Sequence, residues 1–259
     1  MSIRPMRLRD VDAVLAMLKT SFDPALVRYL THTQSGARAL LGSYLTQHYL
    51  VPSVVLMVLA ERDDDPVGFA EFSQEGDSAH LSYVCVAEQS RGRGVATALI
   101  ESFVEAQQPG SLSLDVFTDN APALKLYEKQ GFEVQEEQVW SRRPLPGAST
   151  PLALTSPLDS IAMHTLFGFC NLRTTYEGTQ ATLGWIGADV VRCYDTIAFR
   201  DDALLSSVRA TLPAATEAFV IAPPAERGSV AVPGASILTR SLRLQRSYAG
   251  HGGSREGRA

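Results

Sequence analysis

Apolar residues recur along the first half of the chain in two rhythms. Val11, Val14, Leu15 and Leu18 stand three and four residues apart within 10–20, the spacing of one helical face, and Leu40, Leu41, Tyr44 and Leu45 do the same within 37–48. Residues 54–60 form an unbroken apolar run of strand length. Further strands at 67–72 and 81–86 follow, set apart by polar turns at 62–66 and 73–78. Helical spacing returns at 95–105, with Val95, Leu99, Ile100 and Phe103 on one side; 112–117 reads as a strand, 121–130 as a helix and 132–140 as a strand. Two helices, a three-strand meander, then helix, strand, helix and strand predict an α/β fold: a mixed, predominantly antiparallel sheet with helices on both faces.

The rhythm breaks at 141–157, where four prolines lie among Ser and Thr residues. That composition predicts a linker, so the expected organisation is a first domain at 1–143, a linker at 144–157, a smaller α+β domain at 158–248 and a flexible tail at 249–259. In the second domain strands are expected at 166–175, 180–186, 217–222 and 237–248, with a helix at 201–212 stopped by Pro213. Strand, strand, helix, strand, strand echoes the first half.

Composition narrows the setting. Hydrophobic residues make up 45% of the 259 and charged residues 20%, values of a globular chain with a core. Cys85, Cys170 and Cys193 lie far apart, a pattern of reduced thiols rather than a disulfide framework or zinc knuckle. The apolar stretch 50–60 is shorter than the roughly 20 residues a bilayer span needs, and the first ten residues are too charged for a secretory leader. A cytoplasmic protein without a membrane partner is expected, as monomer or homodimer. The net charge of −5 is concentrated early: 13 basic against 19 acidic residues through Arg143, then 10 against 9. An acidic first half argues against nucleic acid, whose phosphates need a cationic face, and agrees with a cationic substrate.

Two motifs carry chemistry. Arg91-Gly92-Arg93-Gly94-Val95-Ala96-Thr97 sits between the strand at 81–86 and the helix after it. At such a turn unpaired amides and the helix dipole create a place for a pyrophosphate, and glycines let the phosphates reach the backbone. A structural turn would look the same. A dinucleotide fingerprint is disfavoured because Thr97 stands where its third glycine belongs, and a P-loop is excluded for want of Gly-Lys-Ser/Thr. The second motif runs from Asn120, a helix cap, through Pro122, Ala123 and Tyr127 to Gly131-Phe132, a left-handed stop and return to the core.

Together the two motifs resemble the GNAT acetyltransferase superfamily over about residues 3–143. The family's Arg/Gln-x-x-Gly-x-Gly/Ala signature is matched by Arg91, Gly94 and Ala96, and its Asn-x-x-Ala-x-x-x-Tyr helix by Asn120, Ala123 and Tyr127. The resemblance implies an acyl-CoA N-acyltransferase with acetyl-CoA as co-substrate, no metal, and an amine of a small molecule or peptide as acceptor. It implies that Val84, Cys85 and Val86 pair with pantetheine and that an amide near Cys85 or Val86 polarises the thioester. The amides of Gly92, Arg93, Gly94, Val95, Ala96 and Thr97 would hold the pyrophosphate beside Arg91, near the Asn120 cap. Tyr127 would be the general acid for the departing thiolate, and Glu71 or His80 the general base. Asp23, Tyr29, His32 and Gln34 are candidate walls of the acceptor pocket. The second half lacks both motifs and is expected not to bind CoA, as a degenerate copy of the first. A non-catalytic acyl-CoA-binding regulator is the alternative function.

Overall fold

The computed structural model describes residues 1–50, 55–224 and 232–248. Val54, the expected start of the first strand, and the tail at 249–259 lie outside the described residues. The first half runs β1 (Ser2–Pro5), α1 (Val11–Lys19), α2 (Ala37–Leu50), β2 (Val55–Arg62), β3 (Asp65–Glu75), β4 (Ser78–Val86), α3 (Val95–Gln107), β5 (Ser111–Phe117), α4 (Ala121–Lys129) and β6 (Glu133–Pro144). The second half runs α5 (Pro157–Phe167), β7 (Phe169–Tyr176), β8 (Thr179–Ile186), β9 (Val190–Cys193), α6 (Thr196–Arg200), α7 (Asp202–Thr211), β10 (Glu217–Ala222) and β11 (Ser236–Ser247).

Among the described residues eleven strands form one sheet, in the order β1-β2-β3-β4-β5-β11-β6-β10-β9-β8-β7. It is mostly antiparallel, with two parallel pairs, β4 with β5 and β9 with β10. The order carries a repeat. Reading outward from the centre, β11-β5-β4-β3-β2 mirrors β6-β10-β9-β8-β7, each series antiparallel except at its one parallel pair. The two central strands are exchanged: β11, from the end of the chain, lies between β5 and β6, and β6 lies between β11 and β10. The sheet therefore runs unbroken across the boundary that the proline-rich stretch suggests.

Helices cover both faces. Val11, Val14 and Leu18 of α1 and Leu41 and Leu45 of α2 pack on Leu59, Phe69 and Cys85. On the opposite face Leu99, Ile100 and Phe103 of α3 and Tyr127 of α4 pack on Ala70, Phe72, Leu81 and Leu114, and Phe72 stacks on Phe103 at 3.8 Å. In the second half Leu204, Leu205 and Val208 of α7 cover Leu172, Leu183, Val191 and Val220. A fourth cluster, with Tyr29, Leu30, Trp140, Ile186, Val190 and Phe219, joins the halves. Among the described residues no helix is long and apolar enough to cross a membrane.

Three features of the second half differ from expectation. Residues 157–167 form a helix, so the strand expected from residue 166 begins only at Phe169; β9 and α6 were not anticipated. The helix shows no buried stripe in sequence because Leu158, Ile161, Met163 and Leu166 are all exposed. In the first half β1 also escaped notice, being four residues with two exposed ends.

Candidate active site

β4 and β5 pair in parallel from Ser78↔Ser111 to Leu81↔Leu114 and then part. Beyond that point Ser82, Tyr83 and Val84 on one side and Asp115, Val116 and Phe117 on the other wall a cleft of about 520 Å³. A β-bulge at Glu71/Phe72 in the β3–β4 ladder accompanies the parting. The Ala87 amide donates to the Val67 carbonyl at 3.0 Å. Since backbone groups alternate sides along a strand, Cys85 also turns its amide to β3, whereas Val84 and Val86 present theirs to the open gap. Of the two expected oxyanion donors, Val86 has the right orientation; Cys85 does not. The Cys85 thiol is buried against α1 and α2, and burial pushes its pKa up to about 12. It is an apolar filler rather than a nucleophile.

After the end of β4 the chain turns through Gly92 (φ 70°) and Gly94 (φ 78°) into α3. Both conformations are left-handed, which only glycine adopts without strain. A Cβ on either would meet nothing within 4 Å, so the space in front of this backbone is open. The first intrahelical bond runs from the Ala98 amide to the Gly94 carbonyl, 3.0 Å. Gly94 is thus the N-cap, and the amides of Val95, Ala96 and Thr97 have no intrahelical acceptor. Arg91 is exposed beside them and donates Nε–H to the Val86 carbonyl at 3.3 Å. Arg93 is exposed as well. The turn is an open cradle of amides with two exposed guanidinium groups beside it, a place that favours negative charge.

α4 closes the other side. Asn120 caps it, Oδ1 accepting from the Ala123 amide at 3.2 Å, and both residues line the cleft. Gly131 (φ 78°) ends the turn after it, and the Phe132 amide returns to the Tyr127 carbonyl at 3.0 Å. Tyr127 is 5% exposed, its ring edge-on to Phe132 at 5.7 Å, and it lines the cleft. Burial raises its phenol far above the usual tyrosine range, so it stays protonated at any physiological pH. A buried, neutral phenol at the cleft wall is a hydrogen-bond donor and a poor nucleophile.

The remaining wall comes from the connection between α1 and α2. Phe22, Asp23, Leu26 and Leu30 line the cleft, and Trp140 of β6 closes it from the sheet. Of the acceptor-pocket candidates, only Asp23 reaches this space. Tyr29 donates its hydroxyl to Glu217 at 2.6 Å, and Gln34 donates to the Leu30 carbonyl at 2.8 Å, bracing the connection from behind.

Neither candidate base lines the cleft. Glu71 is 5% exposed and its Oε2 lies 2.8 Å from His32 Nε2, itself 5% exposed. Tyr83 stands between this pair and the cleft, its ring 4.0 Å from the His32 ring; burial pushes its hydroxyl up to about 12. His80 sits where β4 and β5 are still paired, with Nδ1 3.0 Å from Ser113 Oγ and Nε2 3.8 Å from Asp115. Burial lowers its pKa, against the pull of Asp115, so it is neutral near pH 7. The carboxylates that do line the cleft are Asp23, Asp115 and Asp119. Asp115 is taken by Arg243 of β11, with bonds of 3.0 and 2.8 Å. Asp23 and Asp119 are exposed at the mouth. Sequence reasoning did not find Tyr83, Phe117 or Trp140 as walls, because only the splay turns these strand positions toward one space.

The corresponding place in the second half is closed. β9 and β10 stay paired over the whole of β9, and the helices after it are capped by Asp195 and Asp201, whose carboxylates occupy the amides a phosphate would need.

Comparison with known proteins agrees with this geometry. Residues 24–132 match the family model described as acetyltransferase (GNAT) family. L-amino acid N-acetyltransferase AaaT of Escherichia coli (strain K12) is 41% identical over 81 residues, covering 28% of this chain and 50% of that protein. Streptothricin acetyltransferase of Escherichia coli is 30% identical over 96 residues, covering 36% of this chain and 55% of that protein. The chain thus spans about half the length of these curated relatives. A crystal structure from Pyrococcus horikoshii, of a protein taken to be an acetyltransferase, is similar over 96% of this chain and 89% of its own, with a TM-score of 0.63 at 15% identity, a likeness of fold that includes the second half. Residues 24–132 of this chain form an acetyltransferase domain of the GNAT family.

Proposed function

We propose that the protein is an N-acetyltransferase that moves an acetyl group from acetyl-CoA directly to a primary amine. The observation that carries this reading is the gap that opens beyond Leu81↔Leu114, which leaves one edge of β4 unpaired and is walled by Val84 and Tyr127; the open amide turn at Gly92–Thr97 follows the end of β4 in the chain. The pyrophosphate would rest on the cradle with Arg91 and Arg93 beside it, and the pantetheine would bond to Val84 and Val86 as an added strand. The Val86 amide would face the thioester oxygen and stabilise its developing charge.

The acceptor enters past Asp23 and Asp119, which attract it as an ammonium ion. It must lose a proton before attack, its unperturbed pKa being about 10 if it resembles lysine. That proton leaves to the solvent at the open mouth of the cleft, beside Asp23 and Asp119. The amine nitrogen then attacks the carbonyl carbon, the tetrahedral adduct collapses with cleavage of the carbon–sulfur bond, and Tyr127 donates its proton to the leaving sulfur. The phenol regains a proton from the adduct nitrogen, so charge balances without a covalent enzyme intermediate. Glu71 and His32 hold Tyr83 in place as the wall opposite. The second half contributes β11 and the support of the acceptor wall, and does not bind CoA.

The relatives' names, one for L-amino acids and one for streptothricin, point to small amines as the acceptor class to test first. Thiol release from acetyl-CoA across a panel of amino acids, polyamines, aminoglycosides and peptide N-termini is the test. Turnover on at least one amine, saturable in both substrates, is expected. Tight CoA binding without turnover on any amine would replace the enzyme by a regulator that senses acyl-CoA.

A further inference from the structure

A second cavity, of about 460 Å³, lies in the other half between α5 and the strands β7, β8 and β9. Its floor is a cross-strand row, because Asn171 pairs with Gly184 and Gly184 with Arg192. The glycine makes the hollow: a Cβ there would come to 3.0 Å of Arg192 Cβ and 3.3 Å of Tyr194 Oη. Tyr194 donates its hydroxyl to Asn171 Oδ1 at 2.6 Å, and the Arg192 guanidinium lies 5.0 Å over the Tyr194 ring. These contacts hold the floor and stack the guanidinium on the Tyr194 ring without giving its N–H groups an acceptor.

Among the described residues no carboxylate stands within ion-pair distance of the cations of this cavity. Arg192 and Arg173 both line it, and among the described residues neither makes an ion pair or a side-chain hydrogen bond. Arg192 Nε is buried without any partner. By contrast Arg4, Arg28, Arg143, Arg240 and Arg243 each meet a carboxylate. A buried N–H of a guanidinium is costly to leave unmet, and the planar fork suits a carboxylate or phosphate. Ser156, at the head of α5, also lines the cavity and makes no capping bond with its side chain, so its hydroxyl is a further donor. Met163, Phe169 and Ile186 supply apolar wall for a small organic body. Asp159 is the one acidic residue in the lining and stands beyond ion-pair distance of both arginines.

We propose that this cavity is a binding site for a small organic anion, a carboxylate or phosphate on a compact apolar body, with Arg192 and Arg173 as its anchors. It is distinct from the acetyl-transfer cleft, from which the connection between α1 and α2 divides it: Leu30 faces the cleft, and its neighbour Thr31 faces this cavity.

Benzoate and phenyl phosphate share a body and differ in the anion, so calorimetric titration of the full chain with each tests the proposal. Saturable binding of at least one is expected, weakened roughly tenfold or more by Arg192→Met and by Arg173→Met. A preference for benzoate identifies a carboxylate ligand, and for phenyl phosphate a phosphate. Arg173 lies on an exposed position of β7, so its variant serves should Arg192→Met not fold. Absence of saturable binding with both probes overturns the proposal. So does binding that neither substitution changes and that CoA displaces, which would place the anion at the Gly92–Thr97 turn.

Discussion

The hydroxyl of Tyr29 donates to the Glu217 carboxylate at 2.6 Å, tying the wall of the acceptor cleft to the second half of the chain. Glu217, its side chain 13% exposed, also meets Arg28 at 3.1 Å and Arg142 at 3.6 Å, while Arg28 reaches Asp189 at 2.5 Å. Leu26 and Leu30, on either side of this anchor, face the cleft. Glu217 is therefore a positioning residue for the acceptor. Glu217→Gln keeps the shape and removes the charge; it should raise KM for the amine several-fold while leaving KM for acetyl-CoA unchanged, and destabilise the fold by about 1–3 kcal/mol. Steady-state kinetics with both substrates varied, beside a denaturant melt, check this.

Strand exchange makes a prediction about truncation. β11 bonds to β5 on one side and β6 on the other, and it carries Arg243, which neutralises Asp115 in the cleft. A chain ending at residue 143 loses β11 and leaves β5 and β6 with unpaired inner edges, which are prone to aggregate. Residues 1–143 alone should give an insoluble or poorly structured product without CoA affinity. Circular dichroism and CoA titration of that fragment, and of its mixture with the remaining half, are the measurements.

Acid stability turns on Asp10, buried at the start of α1. It accepts from Nη1 and Nη2 of Arg4 at 2.7 and 2.9 Å and from the Arg7 amide at 2.8 Å. The Arg4 guanidinium is the chief cause that holds its carboxyl below the usual range, against the effect of burial. A depressed native value means that the unfolded state binds the proton more readily. The stabilisation is then complete above the unfolded value, roughly pH 4, and is lost as pH falls through the lower native one. Asp10→Asn should cost about 3 kcal/mol near neutral pH and flatten the acid limb of the stability curve below pH ~4. Thermal or denaturant melts across pH 2–7 resolve both effects.

How much of this was legible in sequence depends on the range of the cause. The amide cradle and the Tyr127 helix are local: Gly92, Gly94, Asn120 and Gly131 each fix a backbone conformation or a cap within a few residues, and the pattern reveals them. The buried Glu71–His32 contact joins positions 39 apart through the packing of a connection onto a sheet, and no periodicity encodes that. Glu71 interrupts an apolar run, and nothing in the local pattern signals that the fold buries it. The exchanged position of β11 is still less local, since the same alternating strand would pair equally well at an outer edge. α5 was hidden because most of its apolar side chains, Leu158, Ile161, Met163 and Leu166, are exposed and only Phe167 at its end is buried, leaving no buried stripe to detect.

Tyr127→Phe separates chemistry from binding. The phenol lies at the cleft wall and burial keeps it protonated, so loss of its hydroxyl should remove a proton donor and little packing. A fall in kcat of roughly 10²-fold or more, with CoA affinity and melting temperature nearly unchanged, is expected from thiol-release kinetics and calorimetry. Unaltered kcat would take the general-acid role away from this residue.

The most direct test of the whole account is a crystal structure of the protein with CoA. The account predicts diphosphate oxygens within hydrogen-bond distance of the amides between Gly92 and Thr97, pantetheine alongside Val84 and Val86, and sulfur within reach of the Tyr127 hydroxyl. CoA bound elsewhere, or a gap between β4 and β5 that stays filled by side chains with Tyr127 turned away, would contradict it.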